Sequence, residues 1–298
     1  MLSKIIRYLN RVLKNIEKKN KALTLKKERE DFIKNGYIPW SKGYYEFKTE
    51  AITKNICDND LFELLNNNKV PEVFGYRLDE RVIEYPWIFS KLFKKEGKVL
   101  DAGSTFNFDY IINHPILANK DLTIFTFAPE ANNFCHKKIS YVFGDLRNMI
   151  FKDNVFDFVV SQSTIEHIDM DNSMYGYELS FNKDNTCKSY EYIIAVKEMI
   201  RVLKSKGTLL LTFPFGKFEN HGFFQQFDTE MLNKILGLFE NKGNHSITFF
   251  QYKNDSWNFA KINEVSESES FNPHTGKGKK DDFAAHSRAI ACVEFNKN

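Results

Sequence analysis

Val99-Leu100-Asp101-Ala102-Gly103 is followed along the chain by Gly144-Asp145-Leu146-Arg147, then by Ser161-Gln162-Ser163-Thr164-Ile165-Glu166-His167. Arg201-Val202-Leu203 comes next and runs on to Gly207-Thr208-Leu209-Leu210-Leu211. Each stretch couples an apolar strand to a turn that carries glycine or a carboxylate. In an open α/β sheet such turns collect at the carboxyl edge, where ligands bind. Working outward, apolar strands are predicted at Lys98–Asp101, Leu122–Phe127, Ile139–Phe143, Phe156–Ser161 and Gly207–Phe213. Helical stretches separate several of them, most clearly Tyr190–Leu203, which implies a parallel sheet with right-handed crossovers. A helix at Thr229–Phe239 and strands at Ser246–Tyr252 and Ala289–Phe295 extend the pattern.

Three regions follow. Residues 1–29 form a basic amphipathic helix, 30–95 a helical and aromatic cover, and 96–298 the α/β domain, with an exposed loop near 254–286. In the first region Leu2, Ile5, Ile6, Leu9, Val12, Leu13 and Ile16 share one helical face, while Lys4, Arg7, Arg11, Lys14 and Lys18 take the opposite one. Docking on the body, self-association through residues 2–18 and peripheral contact with an anionic membrane all fit that pattern. In the second, Ile56–Leu65 and Leu78–Leu92 have helical periodicity, and Ile38-Pro39-Trp40 with Gly43-Tyr44-Tyr45 form an aromatic loop. That loop is either a cover over the core or the wall of an acceptor pocket. Gly276-Lys277-Gly278-Lys279-Lys280 lacks the first glycine and the Ser/Thr of a phosphate loop, so it reads as a solvated charge run.

The chain has 298 residues, 42% hydrophobic and 27% charged, the balance of a soluble globular protein. Net charge is +3. Residues 1–27 hold nine basic residues against Glu17 alone, a net +8, which leaves −5 for the rest. An acidic body argues against nucleic acid as a partner. Cys57, Cys135, Cys187 and Cys292 are dispersed and form neither a disulfide framework nor a metal-ligand spacing. No metal site is expected, and no apolar run is long enough to span a membrane. A cytoplasmic protein, with the option of membrane-surface contact, is the expectation.

Several residues at the predicted sheet edge carry candidate chemistry. Asp101-Ala102-Gly103 supplies a tight turn and an acid suited to a cationic ligand. Glu130, after the second strand, is placed to accept ribose hydroxyls; the alternative is a surface acid or helix cap. Asp145 follows the third strand, either as an acceptor for an amine or as a turn cap. Gln162 and Ser163 close the fourth strand and border the ligand. Glu166 and His167 then point to an acceptor, with His167 as a general base or as a structural hydrogen-bond partner. Asp169, Asp171, Asn172, Tyr175 and Tyr177 are plausible acceptor contacts, and His221 is a second base candidate.

The order and spacing of these stretches resemble the class I S-adenosylmethionine-dependent methyltransferases, well over residues 97–216 and more weakly toward the C-terminus. The family's glycine-rich turn continues for two more glycines, whereas Ser104-Thr105-Phe106-Asn107 stand here. The resemblance implies a Rossmann-like, mostly parallel seven-stranded sheet with flanking helices plus an N-terminal helical extension. It also implies S-adenosylmethionine as cofactor, the adenine amino group on Asp145 and a backbone contact at Leu146. Bacterial members linked to surface-polysaccharide or glycolipid assembly share the look of Thr126–Glu130, Gly144–Arg147 and Ser163–His167. A sugar, glycan or other small-molecule acceptor is the corresponding expectation. The rival is an inactive methyltransferase-like scaffold. A nicotinamide enzyme is disfavoured because no G-x-G-x-x-G follows the first strand.

Overall fold

The computed structural model describes residues 2–173, 176 and 186–298; in the first helix, side chains are described from position 11 onward except 14, 15 and 18. Along the chain lie α1 (Leu2–Lys34), α2 (Tyr44–Asn55), α3 (Asn59–Asn66), α4 (Arg81–Leu92), β1 (Gly97–Ala102), α5 (Asp109–Ile112), α6 (Pro115–Ala118) and β2 (Lys120–Thr126). They are followed by β3 (Ser140–Phe143), β4 (Phe156–Gln162), α7 (Tyr192–Val202), β5 (Leu203–Pro214), β6 (Glu219–Asn220) and β7 (Gln225–Gln226). The chain ends with α8 (Thr229–Gly237), β8 (Gly243–Lys253), β9 (Ser256–Ala260), α9 (Ile262–Val265) and β10 (Ala289–Lys297).

One sheet has the order β3-β2-β1-β4-β5-β10-β8-β9, and β6 and β7 form a separate two-stranded ribbon. Strands β1 to β5 pair in parallel. β10 runs antiparallel to both β5 and β8, and β9 antiparallel to β8. The sheet therefore has eight strands where seven are expected from the sequence. The additional strand, β9, lies within the segment read as an exposed loop. Asn254 and Asp255, with φ of 52° and 59°, make the left-handed turn that folds β9 back on β8. The rest of that segment is also partly buried: Ser270, Asn272, Ala284 and Ala285 are inside. Its tip keeps the expected character, with Lys277, Lys279 and Lys280 exposed.

Strand alternation divides the core by face. Val99, Phe158, Val160, Leu210, Ile290 and Cys292 face a layer that includes Ile52, Leu61, Val82 and Ile88 of α2–α4. Leu100, Ala102, Val159, Leu209, Leu211 and Ala291 face Val196 and Met199 of α7 and Met231 of α8. Successive strand residues point to opposite faces, so Asp101, Gln162 and Thr212 join the α2–α4 side. Tyr44 and Tyr45, expected in a loop, open α2 instead, because Gly43 at φ 87° supplies the left-handed N-cap a side chain would resist.

Trp257 of β9 is fully buried, its Nε1 donating to the Leu78 carbonyl at 3.0 Å and its backbone N to that of Phe74 at 2.8 Å. It ties the sheet edge to the helical layer. Trp257→Ala is expected to cost about 3–5 kcal/mol, read as a lower urea midpoint with unchanged slope. A change below about 0.5 kcal/mol would show the segment to be the surface loop suggested by its composition.

Candidate active site

The order in which strands are added to the sheet reverses between β1 and β4, the switch point at which open α/β sheets bind ligands. A cavity of about 420 Å³ opens there, within the range of small-molecule sites. Gly103, Glu130, Asp145, Leu146, Ser163 and His167 all line it. Asp169 and Asn172 line it as well, and Tyr175 and Tyr177 lie outside the described residues. Asp101, Ala102, Gln162 and Glu166 are buried behind the wall rather than in it.

For Asp101 the reason is local. Asp101 accepts hydrogen bonds from the backbone N of Thr105 at 3.1 Å, its hydroxyl at 3.1 Å and the backbone N of Phe106 at 2.7 Å. Burial raises its carboxyl to about 7 against those bonds. The acid shapes the first turn and does not reach a cationic ligand. Gly103 turns at φ 131°, where a Cβ would strike Thr164, and Ser104 follows at φ 62°. Thr105 and Asn107 stand where the resembling family has further glycines, and both side chains are used. Thr105 holds Asp101, while Asn107 donates to Glu130 at 2.9 Å and accepts from the Tyr141 hydroxyl at 2.8 Å.

Glu130 also receives Ser104 and Thr126 hydroxyls, each at 2.9 Å. A carboxylate offers about four acceptor sites, so the three bonds fix its direction and leave capacity at an exposed tip. Asp145 is gripped by its neighbour: Arg147 donates from Nε at 3.0 Å, Nη2 at 2.7 Å and backbone N at 2.8 Å. Burial works against its ionisation, but these bonds hold the carboxyl below its ordinary range. Arg147 in turn pairs with Glu191 at 3.1 Å.

Beneath the fourth strand lies a group that the spacing argument missed. Glu84 of α4 has no exposure and accepts from Ser163 Oγ at 2.5 Å, Thr212 Oγ1 at 2.6 Å and Arg81 Nη1 at 3.0 Å. Burial raises its carboxyl, partly offset by Arg81 and the hydroxyls. Arg81 Nη1 also donates to the Gln162 carbonyl at 3.3 Å, and the arginine lines the cavity. Next to it, burial opposes ionisation of Glu80, yet His286 at 3.0 Å and Arg81 hold it down to about 2.

His167 is the best-placed base. Its Nδ1 lies 2.7 Å from the Phe223 carbonyl, an acceptor only, so Nδ1 carries the proton and Nε2 is the basic nitrogen. Burial lowers the imidazole to about 4, outweighing the carbonyl bond. The ring is neutral at pH 7 and stacks on Phe223 at 5.7 Å. The nearest oxygen of Glu166 lies 4.0 Å from Nε2, and burial pushes this acid well above its usual range. His221 is not a loop histidine in solvent. It is buried and stacked on Phe224 at 4.5 Å, away from the cavity wall. Among the described residues no three His, Cys, Asp or Glu side chains form a metal-holding group.

Residues 118–211 match a family described as a methyltransferase domain, roughly the span from β2 to β5. No curated protein matches the chain. Among solved structures, a SAM-dependent methyltransferase of Thermotoga maritima, a possible histamine N-methyltransferase, is similar at 14% identity and TM-score 0.39, covering 70% of this chain and 86% of its own. The 1,6-didemethyltoxoflavin-N1-methyltransferase of Burkholderia thailandensis is similar at 11% identity and TM-score 0.39, covering 68% and 72%. A Pyrococcus horikoshii protein gives 14% identity and TM-score 0.41, covering 73% and 90%. Identities and scores at this level transfer no substrate. The methyltransferase-domain match implies S-adenosylmethionine as cofactor.

Removing Glu84 strands the buried end of Arg81 together with two hydroxyls. Glu84→Ala is therefore expected to cost about 3–5 kcal/mol in denaturant unfolding, and Glu84→Gln, which retains an acceptor, clearly less. Equal, small effects of both would mean that the pair is not the strut of this site.

Proposed function

We propose that the chain transfers a methyl group from S-adenosylmethionine to a hydroxyl of a sugar, on a free, glycan-linked or lipid-linked acceptor. The observation that carries the reading is one cavity at the switch point, lined by the acids after β2 and β3 and by a neutral histidine after β4. The residues present suit the cofactor's chemistry. Glu130 accepts hydroxyl donors of a ribose, and Asp145 with the Leu146 backbone faces an adenine. Arg81 spends Nη1 on Glu84 and Gln162, so its remaining N–H groups are suited to the amino-acid carboxylate.

Bound there, the cofactor supplies an electrophilic methyl for in-line displacement, a reaction that asks the protein mainly for alignment and exclusion of water. His167 Nε2 takes the acceptor hydroxyl proton as the oxygen becomes nucleophilic. The Phe223 carbonyl holds the imidazole in the tautomer that can do so. Phe108 at the cavity wall stacks on Tyr110 at 5.7 Å, adding flat aromatic area of the kind that packs against sugar rings.

A non-catalytic scaffold is the second reading, favoured by the Arg147 clamp on Asp145 and the side chains filling the glycine turn. Turnover separates the two. With sugar acceptors and S-adenosylmethionine, formation of S-adenosylhomocysteine is expected, reduced about 10²- to 10⁴-fold in His167→Asn with cofactor affinity preserved. Asp145→Ala is expected to weaken cofactor binding instead. Equal loss of binding in both variants contradicts the assignment of roles.

Protonation of His167 removes the base, so activity falls as pH drops through about 4. A kcat/KM profile with its acid limb near the free-histidine value of about 6.5 would place the base elsewhere.

A further inference from the structure

Among the described side chains, those that anchor α1 to the body lie near its C-terminal end. Phe32 is buried against Tyr44 and Phe47, with ring centroids 5.8 and 5.3 Å away, and Glu28 pairs with Lys42 at 3.4 Å. Toward its N-terminus three of the described apolar side chains are uncovered: Leu23 is 65% exposed, Ile16 49% and Leu13 56%. With the helical period of 3.6, Leu2, Ile5, Ile6, Leu9, Val12, Leu13 and Ile16 occupy an arc of about 120°. Lys4, Arg7, Arg11 and Lys14 take the other side, and no acid precedes Glu17.

We propose that the N-terminal half of α1 lies on an anionic lipid surface, with its apolar arc in the headgroup boundary and its cations toward the phosphates. Three observations select that occupant. The first is width: a two-stranded coiled coil buries a narrow seam of two positions in seven, whereas this arc takes three. The second is charge. A second copy would bring the same cations to the interface, and residues 2–16 hold no acid to pair with them, whereas a negative leaflet complements them. The third is length. Fifteen residues from Leu2 to Ile16 rise about 22 Å, and among the described residues no helix is long and apolar enough to cross a membrane. The segment lies on the surface rather than through it.

The test is co-sedimentation of the full chain with vesicles of pure phosphatidylcholine and with vesicles of equal parts phosphatidylcholine and phosphatidylglycerol. Pelleting with the second alone, and its loss in high salt, is expected. Leu13→Glu with Ile16→Glu should abolish pelleting, and each of Arg7→Gln, Arg11→Gln and Lys14→Gln should lower partitioning about fivefold. The thermal midpoint of these variants, unchanged because the sites are distant from the anchored end, shows that the body remains folded. Equal pelleting with both vesicles overturns the proposal. So does pelleting with neither, including a sample that sediments as a dimer which Ile16→Glu dissociates. Cofactor binding is read separately, and its presence or absence does not alter this outcome.

Discussion

A carboxylate with no exposure at the centre of a domain must be fully engaged, since an unpaired buried charge is strongly destabilising. Glu84 meets that requirement by drawing in Arg81, Ser163 and Thr212. These partners come from α4, the turn after β4, and β5. One side chain thus joins the helical layer to the carboxyl edge of the sheet at the point where the cavity opens. It aims Arg81 toward the cavity and fixes Ser163, whose φ of 38° the surrounding bonds sustain. A polar network of this kind gives a rigid, singular arrangement when every member is satisfied.

The same logic governs the rest of the site. Asp101 holds the first turn from below, Asn107 and Ser104 hold Glu130, Arg147 holds Asp145, and the Phe223 carbonyl holds His167. Around the first turn the chain carries side chains that bond to the neighbouring acids. The cavity floor is therefore preorganised by short local bonds, and binding energy need not be diverted to ordering it.

Much of this architecture is legible in the sequence because it rests on local pattern. Strand alternation around Val99, Val159 and Leu210 and the helical period of Tyr192–Val202 fix the central sheet and its α7 crossover. β9 escapes because Asn254-Asp255 and the polar residues after it have loop composition, while its burial comes from Trp257 docking on Leu78, 179 positions away. Carboxylates at strand ends mark the site, but the pattern does not separate those that line it from those that support it. Asp101 and Glu166 are acids at the right edge that turn inward. A signal for Glu84 does exist: it is the only acid in the otherwise apolar run Val82–Phe89, a residue type rarely buried without a partner. The hydrogen bond from His167 Nδ1 to Phe223 has no such trace, because a backbone carbonyl 56 positions distant carries no residue signature.

The proposed seat of the cofactor is the cavity at the switch point. Calorimetric titration of the purified chain with S-adenosylhomocysteine, with NAD as the comparison ligand, tests this most directly. Micromolar, single-site binding of S-adenosylhomocysteine alone, weakened by Asp145→Ala, is the predicted result. A folded sample that binds neither ligand would contradict it and turn the site into a scaffold's sealed crevice.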